Sequence, residues 1–190
     1  MRITSGLFKG YPLVYPKTKS FRPTQEKVRS AVFDSIRNEL NGAHFLDLCC
    51  GTGAIGFEAL SRGANHITLV DIDIHFAGRN RDALLARVPD SDREGISKKI
   101  TLIRSNVRDY ARRWRTHFDV VFVDPPWDRD DIYRDVVDLV DGSDMLRPDG
   151  ILVCEHRCRR PVPIPETLSL VSHYSYGQTE ISIISRKESV

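Results

Sequence analysis

The tetrapeptide Asp124-Pro125-Pro126-Trp127 contains the residue types in this sequence that are best suited to catalysis on an amine. Its two prolines fix the backbone φ angle and remove two N–H donors, so the carbonyl groups point in set directions. The Asp124 carboxylate and a proline carbonyl could accept both hydrogens of an exocyclic amine on a nucleic-acid base and stabilise positive charge growing on its nitrogen. Trp127 offers a flat ring on which an extruded base could stack. An Asp-Pro-Pro stretch alone is typical of a turn, but this one follows the apolar run of residues 120–123, as expected at the end of a buried strand.

A second group of chemistry-bearing residues lies in residues 47–56, where glycines follow an apolar run. Gly51 and Gly53 allow a tight turn and the close approach of a ligand to the backbone. Their spacing with Gly56 also matches a dinucleotide fingerprint, so NAD is an alternative ligand. Asp47 precedes the glycines, where its carboxylate would repel a pyrophosphate but would suit the cationic amino-acid portion of S-adenosylmethionine. The segment therefore predicts a site for S-adenosylmethionine.

Two further strand ends are predicted to supply residues for the same cofactor. Asp71 ends the run of residues 67–70 and is placed to accept hydrogen bonds from two ribose hydroxyls, whereas Asp73 is expected to cap the following helix. After the next run, either a backbone N–H or the Asn106 amide is predicted to hold the adenine edge. The predicted cofactor-binding residues are Asp47, Cys49, Gly51, Thr52, Gly53, Asp71, Ile72, Asn106 and Val107.

The spacing of the apolar runs indicates an α/β fold of the doubly wound, Rossmann-like type. Five runs are continuous rather than alternating, as expected for parallel strands covered on both faces, and they occupy residues 44–48, 67–70, 100–103, 120–123 and 151–153. Segments long enough for helices lie between them, such as residues 55–62 before Gly63. Two final runs, residues 168–174 and 180–185, predict a hairpin that ends a mostly parallel seven-stranded sheet with an antiparallel strand.

Residues 1–41 are predicted to form an N-terminal appendage, with residues 42–190 as the cofactor-binding domain. Residues 2–15 predict a small β-hairpin, and Thr24 is a candidate N-cap for the helix that follows. That helix has one apolar stripe, formed by Val28, Val32, Ile36 and Leu40.

Charge is distributed unevenly along this chain of 190 residues, whose net charge is only +2. Residues 1–40 contain eight basic and three acidic residues. This excess favours an electropositive face that contacts nucleic-acid phosphates, with an uncommitted solvated surface as the alternative. The candidates for RNA contact are Arg22, Lys27 and Arg29.

The cysteines and the apolar runs bear on metal content and location. Cys49, Cys50, Cys154 and Cys158 lack the paired spacing of a zinc site, so we expect neither a metal nor a disulfide. No apolar run approaches the roughly 20 residues that span a bilayer. The first residues lack the apolar core of a signal peptide, so we expect a cytoplasmic protein.

Together these motifs resemble the class I methyltransferase fold, and the Asp-Pro-Pro-aromatic segment resembles that of amino-group methyltransferases acting on nucleic acids. Three more stretches are similar to the RsmD family of bacterial 16S rRNA guanine-N2 methyltransferases, and the resemblance covers essentially the whole chain. These stretches are Arg2-Ile3 with Gly6 and Lys9-Gly10, Arg22-Pro23-Thr24 with Lys27-Val28-Arg29, and Glu58-Ala59-Leu60-Ser61-Arg62-Gly63-Ala64.

The resemblance implies methylation of the N2 amine of one guanine in small-subunit rRNA, with the assembled 30S particle as substrate. It also implies that Asp47, Gly51, Gly53 and Asp71 bind S-adenosylmethionine and that residues 124–127 receive the target amine. Base selection in RNA usually needs an unpaired nucleotide, so we expect a guanine in a loop. We also expect the protein to act as a monomer.

Three departures from the family pattern and three rival functions bear on this interpretation. Cys49-Cys50 stand where an aromatic and a small residue are usual, Asn106 stands where an acid is common, and Trp127 stands where Phe or Tyr is usual. A protein glutamine methyltransferase typically begins its Pro-Pro-aromatic motif with Asn, so Asp124 argues against that rival. A DNA adenine methyltransferase and a non-catalytic ribosome-assembly factor remain open alternatives.

Overall fold

The structure is a computed structural model that describes residues 1–17, 26–114, 116–126 and 129–187. Within these ranges, seven strands form one sheet: β1 (His44–Leu48), β2 (His66–Asp71), β3 (Ile100–Arg104), β4 (Phe118–Val123), β5 (Leu146–Arg157), β6 (Leu168–Tyr176) and β7 (Thr179–Arg186). The α-helices in the same ranges are α1 (Glu26–Ser35), α2 (Ala54–Ser61), α3 (His75–Leu85), α4 (Asp90–Lys98), α5 (Val107–Ala111) and α6 (Asp130–Asp141). A short 3-10 helix (Arg37–Glu39) follows α1.

The sheet has the strand order β3-β2-β1-β4-β5-β7-β6. Strands β1 to β5 pair in parallel, whereas β7 runs antiparallel to both β5 and β6. The chain winds outward from β1 in one direction and then returns to place β4 on the other side of β1, with Leu48 opposite Val123. Ligands of open α/β sheets bind at such a switch point, outside the carboxyl ends of the strands.

Both faces of the sheet are covered by apolar side chains. Phe45, Phe57 and Leu69 belong to a buried cluster on the face that packs against α1, α2 and α3. Leu46 and Val121 belong to a second cluster on the face that packs against α5 and α6. Neighbouring residues of one strand therefore point into opposite cores, which explains the continuous apolar runs.

The predicted fold class, strands and terminal hairpin are confirmed. The prediction for β1 matches its bounds, while β5 begins at Leu146 rather than at the predicted residue 151, because Leu146 pairs with Phe118 ahead of the apolar run. Helix α2 begins and ends one residue before the predicted range. Gly63 follows it with a φ of 114°, a value that favours glycine.

The N-terminal segment packs directly on this core. Arg2 forms an antiparallel bridge to Pro12, and the Ile3 N–H donates to Tyr11 O at 2.9 Å, so the predicted antiparallel pairing is present without extended strands. Ile3, Tyr11 and Leu13 belong to the same buried cluster as Val28, Val32, Ile36 and Leu40, the four residues of the predicted apolar stripe. All four are buried, but α1 ends at Ser35, earlier than predicted, and Ile36 and Leu40 flank the 3-10 helix instead. The boundary after residue 41 stays a prediction. Thr24, the predicted cap, lies outside the described residues.

No described helix combines the length and apolar character that crossing a membrane would require.

Candidate active site

The glycine loop after β1 adopts a backbone path that depends on glycine. Gly51 and Gly53 have φ angles of 52° and 76°, and the Gly53 N–H donates to Cys50 O at 2.7 Å. A Cβ at Gly53 would lie 2.6 Å from Cε2 of Phe57, so any larger residue would both strain the backbone and clash with the core. A Cβ at Gly51 would meet no atom within 4 Å, so that side of the loop is open. The loop thus combines a tightly packed inner side with an open outer side.

Asp71 holds this loop from the end of the neighbouring strand β2. Its Oδ2 accepts the Gly51 N–H at 2.8 Å, and its Oδ1 accepts the Asp73 N–H at 3.0 Å. The Asp73 carboxylate accepts the N–H of His75, the first residue of α3, at 2.9 Å, but Ile74 rather than Asp73 occupies the N-cap position that was predicted for Asp73. The sequence predicts Asp71 only as a ribose ligand, and its hydrogen bond to the loop is an additional role. Its contact with a ribose stays a prediction.

Asp47 lies beneath the loop and is only 1% exposed. Its Oδ2 accepts the Gly56 N–H at 3.0 Å, which ties the end of β1 to the first turn of α2. Burial raises the pKa of the Asp47 carboxyl to about 8, and the nearby charge of Asp71 also raises it, against the lowering by the Gly56 N–H. A negative charge at this position therefore needs a cationic partner to be stable at neutral pH.

Asp124 lies one residue beyond β4, at the switch point of the sheet. Its N–H donates to Leu48 O at 3.4 Å, so the ends of β1 and β4 are joined by a hydrogen bond. Burial raises the pKa of the Asp124 carboxyl well above its ordinary value, and the charges of Glu155 and Asp47 raise it further. Asp47, predicted to bind the cofactor, and Asp124, predicted to bind the target amine, are therefore close enough for their charges to interact.

The two prolines after Asp124 differ in exposure, since Pro125 is buried and Pro126 is exposed. The segment of residues 124–126, called the corner below, therefore has one side buried in the core and one side facing solvent. Trp127, the predicted stacking residue, lies outside the described residues.

Glu155 is a buried acid of this site that sequence reasoning missed. It lies on β5, one residue beyond the pair formed by Cys154 and Val123, and is therefore level with Asp124. The Tyr133 hydroxyl of α6 donates to Glu155 O at 2.5 Å, which fixes the backbone there. The same rule that selected acids at the ends of the other parallel strands would have found it.

Cys49 and Cys50 are free thiols in the loop. Cys49 has a φ of 63°, unusual for a residue other than glycine, and is partly exposed. Burial raises the pKa of both thiols, and nearby carboxylates, Asp71 for Cys49 and Asp47 for Cys50, raise it further. Both thiols therefore stay protonated at neutral pH and are poor nucleophiles.

Asn106 performs a local structural role that competes with its predicted contact to adenine. Its Oδ1 accepts the Asp109 N–H at 2.8 Å, and its Nδ2 donates to Asp109 Oδ2 at 2.8 Å, so the side chain caps α5. Both ends of the amide are occupied in this arrangement. The predicted alternative is a backbone N–H of residues 105–107. The Ser105 N–H already donates to Asp71 O at 2.9 Å, so the N–H groups of Asn106 and Val107 are the candidates for this contact.

Of the three residues predicted to contact RNA, Arg29 requires a correction. Its side chain is 0% exposed, and its Nε lies 3.4 Å from Oε2 of Glu58, which is also fully buried. A second guanidinium nitrogen donates to Arg2 O. Arg29 thus neutralises a buried acid, and the prediction that it contacts RNA is wrong. Lys27 is exposed on α1, and Arg22 lies outside the described residues.

Glu58 anchors the N-terminal segment to α2. Its carboxylate accepts the Thr4 N–H at 2.8 Å, the Thr4 hydroxyl at 2.6 Å and the Ser5 N–H at 3.1 Å, and it pairs with Arg62 at 2.8 Å. The sequence stretches that resemble one family are therefore in mutual contact, at residues 1–10, at Arg29 and at residues 58–64.

Asn80 of α3 joins the N-terminal segment to the glycine loop. Its Nδ2 donates to Thr52 O and to Val14 O, each at 2.9 Å, while its Oδ1 accepts the Val14 N–H at 2.7 Å. Asn80 is fully buried. This link joins three separate elements, so no local sequence signal could have found it.

We expect Gly6→Ala to lower the free energy of unfolding by roughly 2–4 kcal/mol, as measured by urea denaturation. Gly6 has a φ of 79°, and a Cβ there would lie 1.8 Å from Ser61 O of α2. Gly10→Ala is the matched control, because Gly10 has a φ of 82° but a Cβ there would meet no atom within 4 Å. Its expected cost is about 1–2 kcal/mol. Equal losses of stability in the two variants would show that Gly6 does not pack closely against Ser61.

The sheet order, the glycine loop after β1 and the acidic corner after β4 define a class I methyltransferase fold. The model of the family described as Conserved hypothetical protein 95 matches residues 1–185. The chain therefore belongs to this family, which is the RsmD family that the sequence motifs resemble.

Individual relatives agree with this assignment. The chain is 32% identical to YlbH of Bacillus subtilis over 193 residues, which covers 98% of this chain and 100% of that protein. It is 27% identical to Ribosomal RNA small subunit methyltransferase D of Haemophilus influenzae, across 93% of this chain and 89% of that protein. The solved structure of yhhF from Escherichia coli matches with a TM-score of 0.79 at 26% identity, covering 98% of both chains.

Proposed function

We propose that this protein transfers a methyl group from S-adenosylmethionine to the N2 amine of a guanine in small-subunit (16S) rRNA, with the 30S particle as substrate. The observation that carries the proposal is the hydrogen bond between Asp124 and Leu48, which holds the acidic-proline corner beside the glycine loop. The name of the Haemophilus influenzae relative supports small-subunit rRNA as the substrate class.

The charge of the site supports a cationic cofactor. Asp71 raises the pKa of Asp47, and Asp47 and Glu155 raise that of Asp124, so these carboxyl groups repel one another. A positively charged ligand relieves this repulsion, whereas the pyrophosphate of a dinucleotide would increase it. The open side of the loop at Gly51 leaves room for such a ligand. When bound, S-adenosylmethionine supplies an electrophilic methyl group on a sulfonium centre.

The Asp124 corner would act on the target amine. The lone pair of an exocyclic amine is delocalised into the base, so the nitrogen is a poor nucleophile. Hydrogen bonds from both amine hydrogens, to the Asp124 carboxylate and to a proline carbonyl, favour a pyramidal nitrogen and stabilise its developing positive charge. The surplus proton of the methylated amine would pass to Asp124 or to water.

The test is transfer of labelled methyl groups by the purified protein to four acceptors. These are 30S particles and 16S rRNA from cells lacking this protein, unmethylated DNA, and total protein from the same cells. We expect label in the 30S or rRNA samples and N2-methylguanosine after nuclease digestion. Label confined to DNA or to protein would replace the proposal with one of those rival functions. Binding of 30S particles without transfer to any acceptor would favour a non-catalytic assembly factor.

A further inference from the structure

A turn of three arginines lies at the carboxyl edge of the sheet, outside the proposed cofactor and amine sites. Residues 157–160 form this arginine turn, in which Arg157 ends β5 and Arg157, Arg159 and Arg160 are all exposed. The Cys158 N–H donates to Gln178 O at 2.9 Å, which fixes the turn to the connection between β6 and β7. This hydrogen bond holds the turn in place at the surface.

Two contacts place the arginine turn beside the proposed target site. The pairing of Cys154 with Val123 puts Glu155 level with Asp124, and the turn begins two residues later on the same strand. Arg160 pairs at 2.8 Å with Asp130, the first residue of α6. That helix begins shortly after the two prolines of the corner, so the turn and the start of α6 flank the corner together.

The backbone of Arg159 is unusual for its residue type. The Arg160 N–H donates to Arg157 O at 3.2 Å, which closes a four-residue turn with Arg159 in its third position. The φ angle of Arg159 is 63°, and Gly or Asn is the residue favoured at such a position. Within the described part of the chain, Arg159 has no ion pair with a carboxylate. A charged, exposed side chain therefore occupies a position that local geometry would give to glycine, and backbone strain of this kind clusters at ligand sites.

We propose that the arginine turn contacts the phosphate backbone of the RNA next to the target nucleotide. This inference rests on the proposed function. The corner itself is rich in carboxyl groups, which repel phosphates, so RNA needs cationic contacts at the same edge in order to enter. Contacts of this type add affinity and set orientation but do not read the base, which leaves base selection to the pocket.

The substitution Arg159→Gly separates a ligand-binding role from a structural one. Glycine relieves the positive φ, so the melting temperature should stay the same or rise by up to about 3 °C. Filter binding with 16S rRNA from cells lacking this protein should show an affinity about fivefold weaker. The slope of log affinity against log salt should fall by about 0.7–0.9. Arg159→Lys should keep most of the affinity, and the affinity for S-adenosylhomocysteine should not change.

Lys98→Ala is the matched control, because Lys98 is an exposed cation at the end of α4, near the amino ends of the parallel strands. It should leave the affinity for rRNA unchanged. If wild-type protein methylates rRNA and Arg159→Gly binds it with the wild-type affinity and salt slope, the inference is overturned while the proposed function stands. A lowered melting temperature with parallel losses of rRNA and S-adenosylhomocysteine binding would overturn it in favour of a structural role. Absence of methyl transfer by the wild-type protein counts against the proposed function instead.

Discussion

Asp124→Ala is expected to lower the rate of methyl transfer by at least about 100-fold, the scale of losing one contact made in the transition state. Asp124 lies at the switch point, joined to Leu48 by a backbone hydrogen bond that alanine preserves. The substitution therefore removes the acceptor of the amine hydrogens without disturbing the strand ends. Single-turnover kinetics with rRNA measure the rate, and calorimetry with S-adenosylhomocysteine should show nearly unchanged cofactor affinity.

Asp124→Asn separates the charge of this side chain from its capacity to accept a hydrogen bond. The amide keeps one acceptor oxygen, so the rate of Asp124→Asn should fall less than that of Asp124→Ala.

The rate of methyl transfer should also depend on pH through Asp124. Burial, Glu155 and Asp47 raise the pKa of Asp124 well above its ordinary value, so the fraction present as carboxylate grows with pH. The wild-type rate should accordingly rise with pH, and the part of this rise due to Asp124 should vanish in Asp124→Asn. A wild-type rate in Asp124→Ala would remove Asp124 from the mechanism.

Asp47→Asn is expected to weaken binding of S-adenosylhomocysteine on the order of 10- to 100-fold at pH 8.5, as measured by calorimetry. The amide can still accept the Gly56 N–H that the carboxylate accepts at 3.0 Å, so the loop should keep its shape. The substitution removes a buried negative charge that would pair with the α-ammonium group of the ligand.

The same variant tests the pH dependence of cofactor binding. The pKa of Asp47 is raised to about 8, so the free protein takes up a proton there as the pH falls below that value. The α-ammonium group of the ligand favours the ionised form of Asp47, so binding releases this proton. Affinity should weaken by up to about tenfold for each pH unit below 8, and it should be nearly constant above it. An equal pH dependence in wild type and Asp47→Asn would show that a different group is responsible.

The strands and the site acids were predictable because they depend on local patterns. Five continuous apolar runs marked the parallel strands, and acids at the ends of three of them marked Asp47, Asp71 and Asp124. Helix α4 was not predicted, since none of its residues is buried and it therefore lacks an apolar stripe. The capping contact between Asn106 and Asp109 has a local signal, the Asn-x-x-Asp spacing, that was interpreted instead as a cofactor contact.

The internal use of Arg29 could not be predicted from local sequence. It lies on the buried side of α1 beside Val28 and Val32, and its acidic partner Glu58 is 29 residues away. A charge in an apolar stripe indicates only that some partner exists, because the partner is fixed by how α1 and α2 pack. The contacts of Asn80 with Val14 and Thr52 are equally long-range.

A crystal structure with bound S-adenosylhomocysteine would show whether the ends of β1 and β4 form one methyl-transfer site. We expect the ligand along the open side of the loop at residues 49–53, with its ribose at Asp71 and its sulfur facing Asp124. A ligand bound elsewhere, or with its sulfur turned away from the corner at residues 124–126, would show that the two strand ends do not form one methyl-transfer site.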